Sequence, residues 1–550
     1  MRVRSARLVF SAALVAALGT APLFAQGEEH HHGNPAREVE GLGAVHFAVS
    51  CAPAVQPAFD RAVALLHSFG YEEARLAFQE VAKADPTCAM ARWGEAMTWY
   101  HPVWAPPTTV ELAAGSAASA AASALDARTE RERAYVAAIG AFYRDSTSVD
   151  HRTRATAYRE AMRHLMTRFP DDFEAAVFFA LTGTAASGDP TLATQRESAA
   201  LLEKLRQSHP RHPGIIHYLI HAFDYPETAS LAVGAARSYA AIAPLSAHAR
   251  HMPSHIFTRL GLWEESIASN WSAVEAARAQ VERTHPGATA FDALHALDYI
   301  EYAYLQLGRD DKAAEVMAQV GRTTTLDEQS FAAGYALAAV PARFVLERRQ
   351  WGAAAVLAPP ATVIDWSKFP YGLAITPFAN AVGAARSGDL ATARAALQRL
   401  TAVHDQLAAS PPAGAYDWVG QVESLRLAAA GWIAHAERRD DDAVRLLTQA
   451  ADLEDRVGKH PVTPGAVLPA REQLGDLLLA IGRPAEALAA YEADLAAAPN
   501  RFNGVAGALR AAEAAGAKAR AEELLAKLRA LCGADCTRGA TPPRVMSPAG

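Results

Sequence analysis

Apolar residues recur along the chain in blocks with helical spacing, and Gly and Pro fall mostly between the blocks. That is the punctuation of helices joined by short turns. The clearest block sets Leu474, Gly475, Leu478, Ala487 and Tyr491 ahead of Pro499, and Ala521 and Leu525 repeat the pair Ala487 and Tyr491 one interval of 34 later. Small residues let two antiparallel helices approach, the aromatic fills the space between hairpins, and proline ends the second helix. The same order returns at Ala74, Phe78 and Pro86 after the turn Phe69-Gly70-Tyr71. Weaker echoes stand at Ala313 and Met317, at Ala393 and Leu397, and around Gly431, Ala443 and Leu447. Together they predict helical hairpins over most of residues 55–530.

These marks resemble the tetratricopeptide (TPR) repeat, and the chain as a whole resembles exported bacterial TPR proteins. The resemblance implies an all-α fold, an α-solenoid of antiparallel helical hairpins wound as a right-handed superhelix. It also implies a concave groove that holds a protein or peptide partner. On this reading residues 43–128 are N-terminal hairpins, 129–320 a central repeat region, 321–375 an insertion carrying Pro359-Pro360, Trp366, Phe369 and Tyr371, 376–531 C-terminal repeats and 532–550 a tail. Residues 106–128, rich in Ala, Ser, Thr and Pro, break the rhythm, and residues 130–210 match it poorly.

Composition narrows the class. Of 550 residues, 51% are hydrophobic and 20% charged, as in an ordinary folded chain rather than a disordered one. Arg2, Arg4 and Arg7 precede the apolar run Leu8 to Leu18 and a small-residue exit near Ala25, so residues 1–25 read as a secretory signal. Residues 26–42, with His30, His31 and His32, read as a flexible mature N-terminus. The run is too short to span a bilayer and no later stretch is long and apolar enough, so a periplasmic or secreted protein without an integral membrane segment is expected. Losing the signal moves the formal charge from −7 to −10, which disfavours nucleic acid as a partner. In an exported chain four cysteines suggest two disulfides, and Cys51 with Cys88 plus Cys532 with Cys536 is the simplest of three pairings.

Histidines carry the candidate chemistry. Pro210 and Pro244, His217 and His251, and His221 and His255 are each 34 apart, so two histidine pairs hold equivalent places in adjacent hairpins. A spacing of four puts both members of a pair on one helix face. By resemblance to TPR repeats that face lines the groove, where His217, His221, His251 and His255 would meet as ligands for zinc or copper. Asp224, Tyr225, His248, Arg259, His295 and Asp298 join the same expected patch. The alternative is packed or surface histidines inherited by duplication. Neither His-Xaa-Xaa-Xaa-His has the glutamate of a zinc protease, and no phosphate loop, serine elbow or Cys/His pair is present. Trp93, Trp99, His101 and Trp104 read as core packing. The sequence therefore points first to an interaction scaffold without catalytic residues, and second to a metal-binding protein or metal-dependent enzyme.

Overall fold

The computed structural model describes residues 37–538, apart from 104–105, 186–190, 361, 413–415 and 534–535. The signal at 1–25, His30 to His32, Trp104 and the end of the tail lie outside the described residues.

Antiparallel helix pairs follow one another from Gln56–His67 with Tyr71–Ala84 through to Phe502–Ala514 with Lys518–Cys532. This is an all-α solenoid of TPR-like hairpins. The predicted residues do the predicted work. Ala74, Phe78, Ala443, Leu447, Ala487 and Tyr491 are buried. A Cβ on Gly475 or Gly507 would stand 2.9 or 2.3 Å from the Tyr491 ring, so two hairpins close on that ring only because both positions lack side chains. Ala521 and Leu525 are half-buried, since the last helix has a neighbour on one side only. Both disulfides form as the simplest pairing had them, Cys51 with Cys88 and Cys532 with Cys536.

Two segments differ from expectation. Residues 37–42, assigned to a flexible N-terminus, belong to a two-stranded hairpin of Arg37–Val39 and Gly43–Val45, and Ala44 N donates to Arg211 O at 2.9 Å. Strands of three residues are too short to leave an alternating pattern. Residues 321–375, read as an insertion, contain the helix Phe331–Glu347 and a short partner Trp351–Ala355. Pro341 inside the first helix and the Pro359-Pro360 stretch hide that hairpin from a pattern search.

The solenoid also closes on itself. Trp263 Nε1 donates to Asn500 O at 2.8 Å, Phe502 N to Gln306 Oε1 at 3.2 Å, and Thr537 N to Gly308 O at 2.9 Å. Arg501 lies at this junction, fully buried, donating to Tyr302 OH at 2.8 Å and to Glu347 and Glu472. Nearby, buried Arg343 pairs with Asp298 and Glu301 at 2.6 and 2.9 Å. The connection between Val457 and Ala470 folds inward, and Tyr299 OH and Asp224 hold it through Thr463 O and Lys459 Nζ at 3.1 and 3.2 Å.

Candidate functional site

Three consecutive hairpins supply six histidines. The helix Pro213–Phe223 starts with Pro at its first position, where no backbone donor is needed, and His212 caps it by accepting from Ile215 N at 3.3 Å. It carries His217 and His221. In the next hairpin, Ser246 caps Ala247–His251, and Pro253, which has no N–H to offer Ala249, interrupts the run before Pro253–Arg259. That broken helix carries His248, His251 and His255, and Phe291–Gln306 adds His295.

The rings do not meet as one patch of four; they sort into two triads, His217 with His221 and His248, and His251 with His255 and His295. In each triad one ligand atom from every ring lies within 4.8 Å of the others. His217 Nε2 stands 3.1 Å from His221 Nε2 and 3.0 Å from His248 Nε2, and His251 Nε2 stands 3.0 Å from His255 Nε2. The triads are neighbours, with His221 and His255 ring centroids 6.1 Å apart and those of His248 and His251 6.3 Å apart. All six histidines are buried. Phe69 covers the first triad, 4.3 Å from the His217 ring, and Tyr299 the second, 4.9 Å from His251.

Surrounding acceptors decide where the ring protons sit. His217 Nδ1 faces His67 O at 2.7 Å, an atom that can only accept. His255 Nδ1 faces Asp224 Oδ2 at 3.0 Å, and His251 Nδ1 faces Asn270 Oδ1 at 2.6 Å. The Asn270 amide is oriented by its own Nδ2, which donates to Ser266 O at 2.8 Å. His251 and His255 therefore both carry their proton on Nδ1, and two bare Nε2 lone pairs confront each other. His217 likewise offers a single Nε2 lone pair to two neighbouring rings. The His251–His255 confrontation is repulsive until something positive stands between the nitrogens, whereas in the first triad His221 Nε2 or His248 Nε2 can donate to the His217 lone pair.

Electrostatics keeps the rings neutral. Burial pushes His217 down to about 3, and burial followed by neighbouring imidazoles holds His221, His248, His251 and His295 well below the ordinary histidine value. His255 is lowered by burial although Asp224 beside it works the other way. The folded values lie below the unfolded value of about 6.5, so the unfolded chain takes up protons first as pH falls. Stability is full above about pH 6.5 and drains away toward the folded values, by up to about 1.4 kcal/mol per pH unit for each ring. Calorimetry of chelator-stripped protein should therefore show a melting temperature that is level down to about pH 6.5 and falls from there to about pH 5; a flat profile contradicts neutral buried rings.

Asp224 is the hub of the outer layer. Beyond His255 it accepts from Arg259 Nε at 2.8 Å and Lys459 Nζ at 3.2 Å. Burial would raise its pKa, but Lys459 and Arg259 outweigh that and hold it well below the carboxylate range. Burial and Arg259 bring Lys459 down to about 8. Of the other expected residues, Asp298 turns away to Arg343, and Tyr225 lines a chamber of about 840 Å³ beside the histidines. Sequence reasoning missed Asn270, His67 and Lys459. Only Lys459 left a trace, in the Gly458-to-Pro469 stretch that delays the next helix.

A third group, His67, Glu174 and His212, is of another kind. Glu174 accepts from His67 Nε2 and His212 Nε2, both at 3.0 Å, while the remaining ring nitrogens meet Tyr218 OH and Ile215 N. Every nitrogen has a conventional partner, so the group buttresses the His67 carbonyl that orients His217.

Fold and site together define a hairpin-repeat protein with a buried polyhistidine centre. No model of a known protein family matches the chain, and no curated protein does. Among solved structures it is similar to the APC/C hetero-tetramer Cut9–Hcn1, at 12% identity over 88% of each chain with a TM-score of 0.31. It is also similar to Naa15/Naa10 bound to HypK-THB, at 12% identity over 86% of this chain and 70% of that one, with a TM-score of 0.23.

Proposed function

We propose that the protein holds two copper ions, one in each histidine triad. The confrontation of His251 Nε2 and His255 Nε2 at 3.0 Å, with both ring protons committed outward, carries this reading. Nitrogens bound to one tetrahedral ion at about 2 Å stand roughly 3.3 Å apart, so the rings are already near ligand spacing. Nδ1 hydrogen bonds to a carbonyl, a carboxylate and an amide are what orient ligating imidazoles. Six neutral nitrogen donors suit copper or zinc, not calcium or magnesium. Two considerations favour copper. Its divalent ion binds such donors most strongly in the first row. Its univalent ion brings the least charge into a buried site whose adjoining carboxylate, Asp224, is already met by Arg259 and Lys459.

Three protein ligands leave a coordination position for water or substrate, which supports a metal-dependent enzyme over a storage site. Stacked hairpins also offer long surfaces to protein partners; the six histidines lie beneath such a surface, not on it. Both disulfides support an oxidising location, periplasmic or secreted.

The test is stoichiometry. Untagged protein lacking His30 to His32 is stripped with a chelator, loaded separately with copper and with zinc, and desalted for elemental analysis. Two copper ions per chain, retained against competing zinc, and a higher melting temperature are expected, since ligand at about 1,000 times its Kd adds about 4 kcal/mol per site. Less than about a tenth of an equivalent of either metal, with an unmoved melting temperature, rejects the proposal.

A further inference from the structure

The metal reading leaves unused a chamber of about 840 Å³ beside the centre. One wall is aromatic. Tyr371 stacks on Trp418 with ring centroids 3.9 Å apart and planes 9° from parallel, and Trp418 stacks in turn on His460 at 5.0 Å. Tyr416 stands edge-on to Trp418 at 4.7 Å. Such a wall receives a flat ring by offset stacking.

Next to His460 along the chain, Lys459 brings charge to the same space. Lys459 and Arg259 both line the chamber, and both are spent on one carboxylate, Asp224. Two cations against one anion leave a single positive charge with side-chain exposures of only 9% and 12%. Four of the chamber's five acidic groups are engaged elsewhere, and the fifth, Glu227, is exposed. Asp417 caps a helix through Gly420 N, Glu454 accepts from Ala470 N, Asp455 pairs with Arg471, and Asp494 lies 3.9 Å from Arg501. A ring-binding wall adjoining one uncompensated buried charge is complementary to a planar ring that bears one anionic group.

We propose that this chamber binds a small aromatic carboxylate, its ring along the Tyr371–Trp418 wall and its carboxylate at Lys459 and Arg259. It would there share Lys459 and Arg259 with Asp224, and any effect on the centre proposed above rests on that reading. Asp224 joins the two places: the carboxylate that shares Lys459 and Arg259 with the bound anion also orients His255. Anion binding draws donors away from Asp224 and so reaches the second triad.

The probe is 4-hydroxybenzoate, titrated by calorimetry into chelator-stripped and into copper-loaded protein, with 4-hydroxybenzamide as the uncharged comparison. Saturable binding of one molecule per chain to the stripped protein is expected. It should weaken at least about tenfold for the amide, for Lys459→Met and for Trp418→Ala, each variant first shown to be folded by circular dichroism. No binding of the acid to folded wild-type protein up to about 10 mM overturns the proposal. So does equal binding of acid and amide, which would point to an uncharged occupant such as a peptide segment. Because the stripped protein is the primary sample, these results stand apart from metal uptake. Acid binding without copper uptake would sink the metal reading alone, and copper uptake without acid binding would sink this one alone.

Discussion

Replacing His251 and His255 together by alanine is expected to lower bound copper from two ions per chain to one. The change leaves His295 as the sole ring of the second triad, and one imidazole does not hold an ion against a chelator. It leaves the first triad's contacts as they were: His217 still donates to His67 O, and its Nε2 still faces His221 and His248 at 3.1 and 3.0 Å. Asp224 keeps Arg259 and Lys459. The mirror variant, His217→Ala with His221→Ala, should also retain one ion, held by the other triad. Elemental analysis after desalting reads both. If either double variant still carries two ions, or if both carry none while remaining folded, the centre is not a pair of independent triads.

Arg501→Met should produce the largest loss of stability. The guanidinium is fully buried among Tyr302 OH, Glu347 and Glu472, and Asp494 stands 3.9 Å from it. Burial already pushes Glu472 up to about 8 in spite of Arg501, so even with the cation present it is mostly protonated at neutral pH. Without it, carboxyl groups are left buried with two hydrogen-bonding amides, Asn503 Nδ2 at 2.7 Å and Gln306 Nε2 at 3.2 Å, both donating to Glu347. Breaking a buried pair by removing one partner costs about 3–5 kcal/mol. Because the residue joins the Phe502–Ala514 helix to residues about 200 positions earlier, the loss should fall on the closure first. Urea denaturation with hydrogen exchange along the chain reads it. A shift under about 1 kcal/mol, or protection lost evenly everywhere, contradicts the assigned role.

The hairpins were legible because their signal is local. Ala487 and Tyr491 are one helical turn apart and pack against residues a few positions away, so spacing alone reports them. The pairs His217 with His221 and His251 with His255 were legible for the same reason. Their division into triads was not. His248 and His251 stand three residues apart on one helix, Ala247–His251, yet join different triads, and spacing does not show to which side each ring turns. Nor could spacing reveal that Asn270 and His67 orient the rings, since the first contact joins two helices of a hairpin at no fixed interval and the second spans 150 positions. Lys459 reaches Asp224 across 235 positions, because the solenoid returns on itself. A repeat pattern describes how each hairpin meets the next and is silent on what meets across the closure.

That closure governs kinetics as well as architecture. Phe69 and Tyr299 lie over the rings and the Val457-to-Ala470 connection folds inward, so an ion in the proposed centre would be covered on these sides. Its escape is then expected to wait on local opening of the protein. Copper transfer to an external chelator should therefore reach a plateau rate independent of chelator concentration, and Arg501→Met should raise that plateau without altering the number of ions held. A transfer rate that keeps rising in proportion to chelator would mean the ions are reached directly from solvent.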